Sequence, residues 1–136
     1  MALHTPLDVT SKGDVIVGEY TKLRVLKSDS NSLVDYPTNQ LELFHPILSV
    51  AVNRSTNTIA LTDGDDVWLV DGKGISSRLH SPNSIWNPTS VTWLPSGELV
   101  ASDAHNNVLW RSRPYGMSIL TGVLSDETNE LKYPIF

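Results

Sequence analysis

The sequence predicts an all-β chain built from three repeats of one four-stranded antiparallel unit. Three observations predict it. An aliphatic-x-x-proline motif recurs as Leu3-His4-Thr5-Pro6, Leu43-Phe44-His45-Pro46, Ile85-Trp86-Asn87-Pro88 and Leu131-Lys132-Tyr133-Pro134, with prolines 40, 42 and 46 residues apart. Apolar runs of about four to six residues stand between clusters of Gly, Asn, Asp and Pro, which is the strand pattern. No stretch sustains a helical period over about 11 residues.

Each unit repeats the same internal order. The run after proline is Leu7 to Val9, Leu48 to Val52 and Val91 to Leu94. A turn follows at Ser11 to Asp14, Arg54 to Asn57 and Pro95 to Glu98, the last with Pro and Gly placed as a tight turn prefers. The second run is Val15 to Val17, Ile59 to Leu61 and Leu99 to Ala101, each ending near an acid: Glu19, Asp63, Asp103. The third is Leu23 to Leu26, Val67 to Val70 and Val108 to Trp110. After turns at Ser28 to Asn31, Asp71 to Gly74 and Arg113 to Gly116, a weaker fourth run closes the unit at Ser32 to Tyr36, Ile75 to His80 and Met117 to Thr121. Four short strands in about 40 residues make one blade of a β-propeller. A sandwich also has regularly spaced short strands, but does not require a motif to return in phase. The expected organisation is one domain, 1–136, with blade 1 at about 3–42, blade 2 at about 43–84 and blade 3 at about 85–130. Residues 131–136 open a fourth unit or form a docking tail.

Unit three runs from Asn87-Pro88-Thr89-Ser90-Val91 through Gly97-Glu98-Leu99-Val100-Ala101-Ser102-Asp103 to Asn106-Asn107-Val108. It resembles an NHL repeat: proline, a Val-rich strand, Gly, an apolar strand ending in Asp, then Asn and a third strand. In unit two Thr56-Asn57 replaces the glycine turn and Gly64-Asp65-Asp66 the Asn pair; in unit one Glu19 replaces Asp. The resemblance implies a six-bladed ring and a face that binds protein or, less often, RNA. Some six-bladed relatives hold zinc or calcium near the central channel and work as lyases or hydrolases.

Composition narrows the function. The net charge is −5 and the ten Lys and Arg are scattered, against the basic cluster of a nucleic-acid binder. There is no cysteine, so disulfides, thiolate metal sites and a Cys nucleophile are excluded. No apolar run approaches the roughly 20 residues of a spanning helix, and no basic-then-apolar leader opens the chain. Neither nucleic acid nor membrane is expected as a partner, and the expected location is the cytoplasm or a larger assembly.

Chemistry-bearing motifs are sparse. His4, His45, His80 and His105 are single and lie in different segments, unlike the paired ligands of a zinc site. Asp63-Gly64-Asp65-Asp66 runs straight into Val67-Trp68, too short for a calcium loop. No Gly-x-Ser-x-Gly elbow is present, and Gly72-Lys73-Gly74 is too short for a phosphate loop. No cofactor and no catalytic residue is therefore expected.

Three blades pose a physical problem. A propeller hides its sheet faces by closing, usually with 4 to 8 blades, and an open arc leaves an apolar face at each end. Two copies closing a six-bladed ring would cover both; so would remaining blades of a longer protein. Antiparallel succession puts the loop after each second strand and the segment before each proline on one face. That face gathers the expected partner-binding set: Trp86, Phe44, Tyr133, His45 and Asn87, with Asp63 and Asp103 nearby. Trp86 is expected as the exposed anchor, although the same residues could form the plug between blades, and the once-per-unit acids could simply cap turns. The function expected is a non-enzymatic binding or scaffold module for a protein partner. The alternatives are a metal-dependent lyase or hydrolase, and a structural component of a larger assembly such as a virus particle.

Overall fold

The computed structural model describes residues 5–79, 86–113 and 116–122; in the last stretch it describes the backbone and the Met117 side chain. The chain is all β. Among the described residues twelve strands appear in order: β1 Leu7–Val9, β2 Val15–Glu19, β3 Lys22–Leu26, β4 Leu33–Asp35, β5 Ser49–Asn53, β6 Thr58–Thr62, β7 Val67–Val70, β8 Ser76–Leu79, β9 Ser90–Trp93, β10 Leu99–Asp103, β11 Val108–Arg113 and β12 Gly116–Gly122. They form three four-stranded sheets, β1-β2-β3-β4, β5-β6-β7-β8 and β9-β10-β11-β12, with every neighbouring pair antiparallel. These sheets are three propeller blades. The strands overlap the apolar runs read from the sequence, with ends moved by no more than three residues.

Blades stack through their first two strands. β1 and β2 touch β5, and β5 and β6 touch β9. The front face of one blade thereby meets the rear face of the next. Period-2 alternation supplies both faces, because successive side chains point to opposite sides of a sheet. Between blades 1 and 2, Ile16, Leu23 and Val25 pack on Val50, Val52, Ile59, Leu61, Trp68 and Val70, with Ile47 from the connecting segment. Between blades 2 and 3, Ala51, Ala60 and Val67 pack on Val91, Leu99, Ala101, Val108, Trp110 and Met117. The small Ala51 and Ala60 on the front face of blade 2 thus receive large side chains from the rear face of blade 3. Each large apolar side chain so buried contributes about 1.5–3 kcal/mol.

Polar ties fix the inner strands. Val52 N–H donates to Asp8 Oδ2 at 2.8 Å, and Arg54 holds Asp8 Oδ1 at 2.9 Å. Trp93 Nε1–H donates to Ala51 O at 3.1 Å. Gly18 is needed where the chain returns: its N–H donates to Pro6 O at 2.9 Å, and a Cβ there would stand 2.8 Å from Ile47 Cγ2.

Blade 1 departs from the other two at one place. Glu19 is exposed and pairs with Arg24 at 3.1 Å, and only Tyr20-Thr21 links β2 to β3. Glu19 therefore does not share the role of Asp63 and Asp103, which are buried at the ends of longer loops.

Candidate functional site

The loops after β6 and β10 and the segments before Pro46 and Pro88 meet on one face. Asp63 opens the first loop. Its Oδ1 accepts from the N–H groups of Asp65 and Asp66, at 3.0 and 3.1 Å, and its Oδ2 from Phe44 N–H at 3.4 Å. A side chain that satisfies its own turn this way defines the loop. Asp103 repeats the device. Oδ1 accepts from Asn106 N–H at 3.1 Å, while Oδ2 accepts from Asn87 N–H at 3.0 Å and from Trp110 Nε1–H at 3.3 Å. Both acids thus tie a loop to the segment entering the blade. This is a structural use of both carboxylates, and their oxygens face donors of the chain itself.

The two pre-proline segments differ. Trp86, expected as the exposed anchor, is instead 7 % exposed. Its indole N–H donates to Asp65 O at 2.9 Å, and its ring meets Trp110 edge-on at 5.7 Å between centroids. The reason is local: the four-residue loop of blade 2 offers a carbonyl at the right height, and Trp110 offers an apolar edge. Phe44 occupies the same motif slot and is 75 % exposed. His45, beside it, is exposed and lies 3.1 Å from Asp65 through Nε2. Asn87 is half-buried, with its side-chain oxygen beside Gly64. Tyr133 and the tail 131–136 lie outside the described residues.

The structure therefore gathers Phe44, His45, Asp63, Trp86 and Asn87 around one loop, with Asp103 behind them. It also adds residues that sequence reasoning missed. Gln40, Glu42, Phe44, Trp68, Ser76, Ser77 and Arg78 line an open cleft of about 510 Å³ at the outer rim. Asp66 pairs with Arg78 at 3.6 Å. Burial pushes the Asp66 carboxyl above its ordinary value; Arg78 opposes that, and the neighbouring Asp63 and Asp65 add to it. The register Trp68 opposite Arg78 was the signal available for this cleft, but it needs the pairing of β7 with β8 to be read. Among the described residues no group of three or more His, Cys, Asp and Glu is placed to hold a metal ion.

No protein-family model and no curated protein matches the chain. Solved structures do. Virginiamycin B lyase from Staphylococcus aureus is similar with a TM-score of 0.69 and 17 % identity, over 85 % of this chain and 40 % of that one. A streptogramin B lyase is similar with a TM-score of 0.68 and 20 % identity, over 83 % and 38 %. A gluconolactonase candidate is similar with a TM-score of 0.66 and 15 % identity, over 86 % and 48 %. These are six-bladed propeller folds, and this chain spans less than half the length of each. At such identities the likeness shows the fold alone: three blades of the kind of which those proteins carry six.

Proposed function

We propose that the chain is a half-propeller of NHL-like repeats that a second copy completes to six blades, presenting the Phe44 face to a protein partner. The observation that carries this reading is the pairing of a three-blade architecture with neighbours of which it covers 38 to 48 %. Exposure at the open end supports it: Leu7 is 62 % and Leu33 45 % exposed on the rear face of blade 1, where the equivalent faces of blades 2 and 3 carry the core. On the loop face, Phe44 is an exposed aromatic beside His45, Asp65 and Arg78, the mixture that interface anchors favour.

The test has two arms. Sedimentation of the 136-residue chain gives twice 15.0 kDa if a second copy closes the ring. A folded 15.0 kDa species overturns closure. A photo-crosslinker at position 44 captures a partner from a lysate of the source cells, whereas one at position 55, on the opposite face, does not. Equal capture from both positions overturns the choice of face.

A second reading, a lyase or hydrolase of propeller type, is favoured by the names of the neighbours, two lyases and a gluconolactonase candidate. Stoichiometric divalent metal retained through purification and dialysis supports it over the binding module.

A further inference from the structure

The strand register aligns the three blades position by position. On the rear faces, one row reads Val50, Leu61, Trp68 and Arg78 in blade 2 and Leu7, Val17, Arg24 and Asp35 in blade 1. In blade 3 the same row runs Val91, Ala101, Trp110. The third strand thus brings a buried tryptophan to the two rear faces that have a neighbour, and Arg24 to the one that has none among the described residues. The front faces show the same change. Their row runs Asp8, Ile16, Val25 in blade 1 and Ala51, Ala60, Leu69 in blade 2, then Thr92, Val100, Arg111 in blade 3. At the two faces that have no neighbouring blade among the described residues, an arginine stands where an internal joint has an apolar side chain.

The two ends are not alike in charge. Arg24 is flanked by two acids, Glu19 Oε1 and Asp35 Oδ1, each at 3.1 Å. Side chains of Glu19 and Asp35 remain 46 % and 73 % exposed. Arg111 has Glu98 at 3.8 Å, beyond hydrogen-bond length, and its buried Nε has no hydrogen-bond partner. One end therefore sets two acids on its arginine at 3.1 Å, and the other a single acid at 3.8 Å.

We infer that the ring closes through a charged joint, in which Asp35 and Glu19 of one copy pair with Arg111 of the other. This rests on the half-ring reading above. The acids then lie between the two guanidinium groups, three acids to two arginines with Glu98 counted, and Leu7, Val17 and Leu33 cover the half-buried Leu109. The arrangement has a physical use. A wholly apolar end face would accept any blade face, whereas Arg24 with its acids, set against an apolar front such as Ala51, Ala60 and Leu69, would lose water and gain no partner. Charge selects the correct joint and steers the encounter. Twofold symmetry makes both joints of the ring identical, so every substitution acts twice.

The experiment measures the dimer dissociation constant by sedimentation for the wild type, Arg111→Glu, Asp35→Arg and the double variant, with folding of each checked by near-ultraviolet circular dichroism. Arg111→Gln, which removes the charge with little change of length, provides a milder variant. Each charge reversal is expected to weaken the dimer at least about tenfold, and the double variant to recover most of that loss. Raising salt from about 0.05 to 0.5 M is expected to weaken the wild type, since screening shortens from above 10 Å to about 4 Å. A dimer whose dissociation constant is unmoved by either reversal overturns the charged joint and leaves the half-ring standing. A monomeric wild type overturns both.

Discussion

Phe44 and Trp86 fill the same slot of the aliphatic-x-x-proline motif, yet one is 75 % and the other 7 % exposed. The difference is decided by the preceding blade. Trp86 finds the Asp65 carbonyl in a four-residue loop, whereas in the corresponding two-residue loop of blade 1, Tyr20-Thr21, the Tyr20 carbonyl is taken by Ile47 N–H at 2.7 Å, and phenylalanine has no side-chain N–H to donate. Trp86→Ala is accordingly expected to cost about 3 kcal/mol, read from the denaturant midpoint, because it removes a buried ring packed on Trp110. Phe44→Ala is expected to move the midpoint by less than about 0.5 kcal/mol while abolishing partner capture by a crosslinker placed at position 45. The slot itself was legible in the sequence, since it recurs. Its two fates were not, because each depends on a loop length one blade away. Asp63 and Asp103 were legible in the same sense: their recurrence pointed to a turn role, and the donors that surround them fill that role.

Strands and turns came through more clearly, because period-2 alternation and turn residues act within a few positions of one another. Val67–Val70 is the same segment in the sequence reading and in the fold. Ends moved elsewhere because ladder pairing continues past the apolar run, as in β10, where Ser102 and Asp103 still pair with Leu109 and Val108. Long-range ties between turns left no local pattern. Asp14, in the turn between β1 and β2, accepts from Ser28 N–H at 2.9 Å and faces Lys27 at 3.6 Å, joining that turn to the one between β3 and β4. The Ser28 backbone N–H, with help from its hydroxyl and from Lys27, holds the Asp14 carboxyl below its ordinary value of 3.8. A depressed carboxylate stabilises the fold fully above the unfolded value and loses that contribution as pH falls through the folded one. Wild-type melting temperature should therefore fall between about pH 4 and pH 2 by more than that of Asp14→Asn, whose turn no longer titrates. Equal acid sensitivity in the two proteins would show that the tie between turns carries no stability.

The three blades form a stack in which each touches only its neighbours, so stability is close to a sum of blade and joint contributions. Two joints lie within the described residues, and both are apolar, with Trp68 in the first and Trp86 and Trp110 in the second. A ring of six has six joints, of which two copies of this chain supply four internally, and the remaining two depend on association. In the proposed ring, protein concentration is therefore a thermodynamic variable. If closure is coupled to folding, each tenfold rise in concentration adds about 1.4 kcal/mol to the assembled state. Spread over the unfolding entropy of two chains, this is an increase of about 3 °C in melting temperature per decade. Differential scanning fluorimetry from about 1 to 100 μM reads the slope directly, using the intrinsic tryptophans and no added dye. Arg111→Glu separates the contributions: in a chain that can no longer close, the melting temperature becomes flat with concentration and meets the wild-type value at the dilute end. A wild-type melting temperature that is itself flat across the range would place the whole stability of the molecule in its own three blades.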